Sequence, residues 1–507
     1  MRLKLLVLFL PVLMQAQFVP AGGWCGSVHC NSQLDDATGQ ASPTGLNVMC
    51  KDTIPQGSRS GGGVTTNGSV VAVTYAFKNG YTGPATVVYD TTVSNGGACH
   101  RIWSSNILDN TAWTVALLVG SHTAPIPDEV IAADERQIVA FDGAGGVIWD
   151  TCWYGGSAPG SCNCPAAGCG DGVVPLEPII IADGDVTALI IGIHSVAGRA
   201  APVFEVNSGT GAIMNGSGTF LGRSGNDTFS PDNISCAGAT AGTFYIATNW
   251  TATPALGRIY GISVSNGVFS VATGTWPTSV TGSVPWLRDF NGPTGGSPLC
   301  VNSGASAGVF TDGKDFGNDA HTDVFGLNQT TGEVLYNCAE KICPGCMPRT
   351  GCVDIPGIIK GNSAEDPRGG HWTPCKNCDE ITRRCPATGG VSISACPTSG
   401  LAGSAVQTIH VSHIIPGETH DTHVSSIVNT ATMANGDGAL ICGLNSKGGG
   451  NYIVLIDAVT GELRSSYTIA GTGPAEGQFP VFLSPLGTPW TGFTTTTDGL
   501  VMLGLAP

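Results

Sequence analysis

A polar residue followed four positions later by glycine recurs along this chain at intervals of roughly 50 to 70 residues, which restricts the fold to repeated copies of one small unit. The clear copies are Asp35-Asp-Ala-Thr-Gly39, Asn207-Ser-Gly-Thr-Gly211, Ser263-Val-Ser-Asn-Gly267, Asn328-Gln-Thr-Thr-Gly332 and Asp457-Ala-Val-Thr-Gly461. Looser ones sit at Asp90, Asp142 and Cys385-Pro-Ala-Thr-Gly389. An Asx side chain accepts hydrogen bonds from backbone N–H groups two or three residues on, and glycine supplies the positive φ that closes the turn. Runs of Val, Ile, Leu and Tyr flank most copies, so each turn reads as the end of a hairpin.

A second turn precedes the first at a near-constant offset: Asn67-Gly68 before Asp90, Asp183-Gly184 before Asn207, Asn435-Gly436 before Asp457. Two hairpins per unit make four antiparallel strands, and four-stranded sheets repeated radially make a β-propeller. The expected fold is therefore all-β. The segment Thr494–Gly504 carries a first hairpin without a second, and Asp35–Gly39 a second without a first. Joined, they complete one blade shared by N-terminal and C-terminal strands, giving an eight-bladed ring that hides its edge strands. A seven-bladed ring with a cysteine-rich insertion over about 338–396 is the alternative, because that stretch shows cysteines in place of alternating strands.

The repeat resembles the pyrroloquinoline-quinone-like (quinoprotein-type) propeller repeats, whose units read aliphatic-x-Asp-x-x-Thr-Gly and then often Trp. The Trp position is filled at Trp103 and Trp149, and by Tyr336 and Ser465 in the copies after Gly332 and Gly461. The resemblance implies that the Asx turns join the third and outermost strands on one face, with the blade-to-blade connectors on the opposite face. Both the cysteine-rich run from Cys338 and the histidine-rich run from His410 fall in those connectors. Alcohol-oxidising members of the family typically stack the quinone on a disulfide of adjacent cysteines, and this chain has no Cys-Cys dipeptide.

Residues 1–16 read as a secretory signal peptide, with Arg2 and Lys4 ahead of the apolar run Leu5 to Leu13. Cleavage after Ala16 leaves 17–507 as a single propeller domain, and Ala21 is a competing site. The mature protein is expected to be secreted or extracellular, in the periplasm if the cell is a Gram-negative bacterium. Nineteen cysteines suit such an oxidising compartment. A formal charge of −16 disfavours nucleic acid and anionic membranes, and no segment reads as an integral membrane span.

His410, His413, His420 and His423, with Glu418 and Asp421, hold enough imidazole and carboxylate to bind a divalent metal ion such as Zn²⁺ or Cu²⁺. A solvated polar connector explains the same residues without metal. Cys343-Pro-Gly-Cys346 and Cys375-Lys-Asn-Cys378 resemble zinc knuckles, but the gap between them exceeds the usual ~15–20 residues. Export favours disulfides among Cys338, Cys343, Cys346, Cys352, Cys375, Cys378, Cys385 and Cys396, with Cys300 and Cys442 as further partners. The cluster Cys162, Cys164 and Cys169 reads as another stapled loop. Turn formation and solvation account for Glu177, Asp183 and Asp185. Asn67, Asn215, Asn226, Asn233, Asn249 and Asn328 head N-glycosylation sequons. No nucleophile elbow, phosphate loop or His-Glu-x-x-His is present. The expected function is a non-catalytic binding or structural scaffold, with a protein or glycan partner on the loop-rich face or self-assembly into an extracellular structure. An exported quinone- or metal-dependent oxidoreductase is the rival reading.

Overall fold

The computed structural model describes residues 37–504 apart from a set of intervening segments, the longest of which are 338–354, 385–404 and 471–480. Among the described residues every regular element is a strand, and no helix is long and apolar enough to cross a membrane. The strands form antiparallel meanders in chain order. Ser58–Thr66, Val70–Phe77, Thr86–Asp90 and Arg101–Ser105 make one sheet, and Val115–Val119, Glu129–Ala133, Gln137–Phe141 and Val147–Cys152 the next. Ile179–Asp183, Val186–Ser195, Pro202–Asn207 and Thr219–Phe220 follow. Then come Cys236–Ala237, Thr243–Trp250 and Leu256–Ser265 with a split outer strand, Val268–Ser270 and Trp286–Phe290, both halves pairing with Leu256–Ser265. The remaining sheets are built on Gly308–Lys314 and His321–Asn328, on Gly370–Pro374 and Glu380–Arg384, and on Ala439–Ser446 and Asn451–Asp457.

The last sheet combines Val481–Leu483, Pro489–Thr495 and Gly499–Gly504 with Asn47–Asp52, whose Asn47 stands opposite Gly504. The N-terminal contribution is thus one strand at 47–52. The copy at Asp35 is not a turn: Ala37–Ala41 is a strand running parallel along the inner edge of Thr422–Thr432. A hairpin turn needs paired strands on both sides, and the chain after Gly39 does not pair with the last sheet until Asn47. A four-stranded sheet, Ala364–Asp366 through Ala405–His410, also occupies the cysteine-rich stretch.

Sheets pack face to face on apolar clusters drawn from neighbours. Ile131, Ile138 and Trp149 meet Leu189, Ile191 and Phe204; Ile181 and Ile190 meet Phe244, Ile262 and, beyond, Leu327; Met49, Leu500 and Met502 meet Val64, Val71 and Tyr89. This is the β-propeller arrangement that the repeat predicts.

The Asx turns work as the sequence chemistry requires. Asn328 Oδ1 accepts the Thr330 and Thr331 amides at 2.8 and 3.0 Å, and Asp457 Oδ1 those of Val459 and Thr460, both at 2.9 Å. Three of the turn glycines have a second role. A Cβ on Gly145 would lie 2.9 Å from the Trp103 ring, one on Gly332 2.6 Å from Trp286, and one on Gly211 would collide with Trp149. The outer-strand aromatic of one sheet therefore docks on the bare turn glycine of the next. Register explains the position: Trp103, Trp149, Tyr336 and Ser465 stand opposite Val88, Ala140, Gly326 and Leu455, each two residues before its Asx. Ser465, too small to dock, instead accepts the Leu46 amide at 3.1 Å.

The copy at Ser263 departs from the pattern. Ser263 lies inside a strand, and the turn is Asn266-Gly267, with φ of 51° and 76°. Its amides are capped by Asp183 of the preceding sheet, at 2.7 Å each. Asp183 is consequently buried and not solvated.

Candidate functional site

Strand direction separates two faces. The Asx turns and the Gly68 and Gly184 hairpins share one end of the strands, as the Thr91 hydroxyl donating to the Gly68 carbonyl at 3.1 Å shows. The turns Asp134–Arg136 and Lys447–Gly450 and the connector 411–421 lie at the other end, the loop-rich face.

The connector leaves the strand Ala405–His410 and enters Thr422–Thr432. Val411 and Ile415 are buried in the cluster with Val424 and Leu444, and the Thr422 hydroxyl donates to the Val411 carbonyl at 2.6 Å. These anchors fix a loop whose polar side chains face outward. Glu418 is its hub: the carboxylate accepts the His420 amide at 2.9 Å and the Tyr452 hydroxyl at 2.9 Å, with His420 Nδ1 at 3.0 Å. Those hydrogen bonds hold the Glu418 carboxyl down at about 2, the His420 amide being the largest cause. With Nδ1–H donating to Glu418, His420 leaves Nε2 for solvent or a ligand. The His420 ring packs over Gly448, where any Cβ would collide with it.

Of the six candidate metal ligands, the described ones have separate neighbours. His410 Nδ1 lies 3.4 Å from Glu380 Oε1, and His413, held at φ 59°, approaches the Glu418 carbonyl at 3.4 Å. His423 occupies a strand position opposite Asn445, and Asp421 lies outside the described residues. Among the described residues, no three His, Cys, Asp or Glu side chains converge as a metal requires.

Because the folded carboxyl is held below its ordinary value, the stability the Glu418 contacts contribute is complete above about 4.5 and is lost as pH falls to about 2, where the contacts themselves break. The His420 amide resonance of the folded protein is expected to move with an acid transition centred near pH 2 in wild type and to show none in Glu418→Gln.

A cleft of about 880 Å³ opens beside the disulfide Cys152–Cys162, lined by Trp153, Tyr154, Asn163, Ile213 and Ser217. It lies toward the loop-rich face, since the Trp153 amide donates to the Arg136 carbonyl at 2.9 Å. Trp153 stacks on Phe204 with centroids 4.8 Å apart, and burial pushes the Tyr154 hydroxyl up to about 12, which keeps it a neutral donor. An aromatic floor with amide and hydroxyl groups suits an uncharged polar ligand.

Disulfides also join Cys50 to Cys99 and Cys236 to Cys300, each linking neighbouring sheets, and Cys164 is disulfide-bonded. Cys442, read as a disulfide partner, is a buried free thiol whose ionisation burial suppresses, so it behaves as a small apolar core residue. Cys338, Cys343, Cys346, Cys352, Cys375, Cys378, Cys385 and Cys396 lie outside the described residues, as do Asn67, Asn226, Asn233, Cys169, Glu177 and the leader 1–16.

Asn215 is committed inside the fold: Oδ1 accepts the Glu205 amide at 2.9 Å, and Nδ2 donates to the Val203 carbonyl and the Thr219 hydroxyl. Both amide hydrogens are used, so the folded chain does not offer that sequon to a glycan. Asn328 caps its turn through Oδ1 alone. Asn249 lies in a strand paired on both sides.

No protein-family model matches the chain, and no curated protein matches it. Among solved structures it is similar to the Dos1 propeller (TM-score 0.45, 10% identity, 80% of this chain and 81% of that one). It is also similar to the PilY1 C-terminal domain of Pseudomonas aeruginosa (TM-score 0.38, 11% identity, 87% and 94%) and to extracellular domains 1–2 of Drosophila Semaphorin 1a (TM-score 0.38, 10% identity, 91% and 88%).

Proposed function

We propose that this chain is an exported, disulfide-stapled propeller of the quinoprotein-repeat type, closed as an eight-bladed ring, whose loop-rich face binds an uncharged polar partner, a glycan or a protein surface, without catalysis. Kinship to that repeat is supported by the Asx turn, its glycine and the docked aromatic of the preceding sheet. Ring closure is supported by the pairing of Asn47–Asp52 with Gly499–Gly504 and by the packing of that sheet on Val64 and Val71. The disulfides support export.

The observation that carries the binding role is the pre-organised 411–422 connector. Its backbone is pinned by Glu418, Thr422 and two buried aliphatic residues, while His413, Thr419 and His420 stay exposed. A loop already fixed in its bound form loses little entropy on binding.

A photo-cross-linker placed at Thr419 of the secreted protein is expected to capture a partner from the extracellular fraction, and one at Thr210 on the turn face to capture none. Equal capture from both faces, or stoichiometric metal or a bound quinone chromophore in the purified protein, would replace this reading with another. Self-assembly predicts a larger species on size exclusion, and a strict monomer with and without reductant removes it.

A further inference from the structure

The side chains of Asp183 and Glu205 meet in the seam between the sheet 179–220 and the sheet that follows it. Both residues are buried, Glu205 completely. Asp183 spends its two oxygens on the Asn266 and Gly267 amides of the next sheet, at 2.7 Å each. Glu205 has no such partners: no N–H or hydroxyl donor reaches either carboxyl oxygen, while the Asp183 carboxylate stands within hydrogen-bonding reach.

Two carboxyl groups hydrogen-bond only if one carries a proton. Both Asp183 oxygens already accept backbone amides and neither Glu205 oxygen accepts a donor, so the proton between them is placed on Glu205. Burial, followed by the charge of Asp183, pushes the Glu205 carboxyl up to about 8.

Among the described residues, none of the following brings a cation to the pair. Of the elements packed here, Val186–Ser195 carries one titratable side chain, His194, which is paired in register with Val174 at the far end of that strand. Asp185 follows Asp183 in the hairpin and adds negative charge. Across the seam the next sheet presents backbone amides, and its buried cation, Arg258, is bound to Asp289. The outer segment contributes Asn215, which is neutral and holds the Glu205 amide. Gly267 is packed closely on the preceding sheet, where a Cβ would sit 2.6 Å from the Met214 carbonyl.

We propose that Asp183 and Glu205 share one proton as an intersheet latch, and that loss of this proton releases the Asn266-Gly267 turn from the preceding sheet. The propeller then carries a built-in sensor of alkaline conditions at one seam. A carboxyl whose native pKa is raised contributes stability that is complete below its unfolded value near 4.5 and is lost as pH rises toward 8. One proton released over that window corresponds to an unfolding constant that rises roughly a few hundredfold between pH 5 and pH 8.

The test is amide exchange at Asn266 and Gly267, normalised to intrinsic rates, in the intact oxidised protein between pH 5 and 9. Wild type is expected to lose protection with a midpoint near 8, and Glu205→Gln, whose amide can still donate to Asp183, to show no such midpoint. Isotope-edited infrared spectra of wild type supply a second readout that needs no variant: one protonated buried carboxyl at pH 6 that disappears by pH 9. A midpoint unchanged in Glu205→Gln, or no protonated carboxyl at pH 6, overturns the latch. So does calcium-dependent protection of wild type at pH 8, which would make the pair a cation site.

Discussion

Asp289→Asn is expected to lower the unfolding free energy by about 3–5 kcal/mol, read as a shift of the urea midpoint, because it strands a fully buried guanidinium. Arg258 and Asp289 stand opposite each other where the second half of the split outer strand rejoins its sheet. The pair is bidentate, with Arg258 Nη2 donating to Asp289 Oδ2 at 2.7 Å, and Nη2 also reaches the Gly274 carbonyl at 3.1 Å. Desolvation opposes the charged form of Arg258, and Asp289 together with the Tyr260 hydroxyl more than offsets it. The neutral amide of Asn keeps the shape and removes that compensation. Replacing both residues by apolar ones of similar volume, Arg258→Met with Asp289→Leu, is expected to recover most of the loss. A double variant as unstable as the sum of the singles would show that the pair matters for something other than its charge.

Trp286→Ala is expected to cost about 3–5 kcal/mol through the volume it vacates. The indole is buried between sheets, stacked on Tyr245 at 5.5 Å and docked on Gly332, with Nε1 donating to the Gln329 carbonyl at 2.8 Å. Gly332→Ala should be costly for two reasons: its φ of 66°, worth about 1 kcal/mol, and collision with that ring. In the Trp286→Ala background only the φ cost remains. A double-mutant cycle therefore separates docking from backbone strain, and a Gly332→Ala penalty equal in both backgrounds would exclude docking.

Much of this architecture could be read in the residues, since turn chemistry is local. Asn207, Asn328 and Asp457 announce their turns because the side chain, its amides and the glycine all lie within five residues. Legibility ends where a turn is completed from another sheet. Asp183 caps Asn266 and Gly267 across a separation of more than 80 residues, so Asp183 looked like an ordinary hairpin residue and Ser263 like a turn residue. Trp286 was likewise hidden: an inserted segment delays it far beyond the usual interval after its turn, although register returns it opposite Gly261 and so to the dock. Of the candidate face, the sequence located the histidine-rich connector but treated its carboxylate as a ligand. Tyr452, from the strand beside it, makes Glu418 a structural hub, and no local pattern connects those two residues. The aromatic cleft depends on Trp153, Asn163 and Ile213 meeting from separate connecting segments, which spacing alone does not encode.

The pairing of Asn47 with Gly504 also has a mechanical meaning. Chain tension applied through residues on either side of this pair enters an antiparallel ladder at one end, so its hydrogen bonds would break singly, as in peeling, and not together as in shear. Peeling meets the Cys50–Cys99 bridge within a few residues, and from there the load passes covalently into the neighbouring sheet. A propeller joined in this way resists traction only while its surroundings stay oxidising.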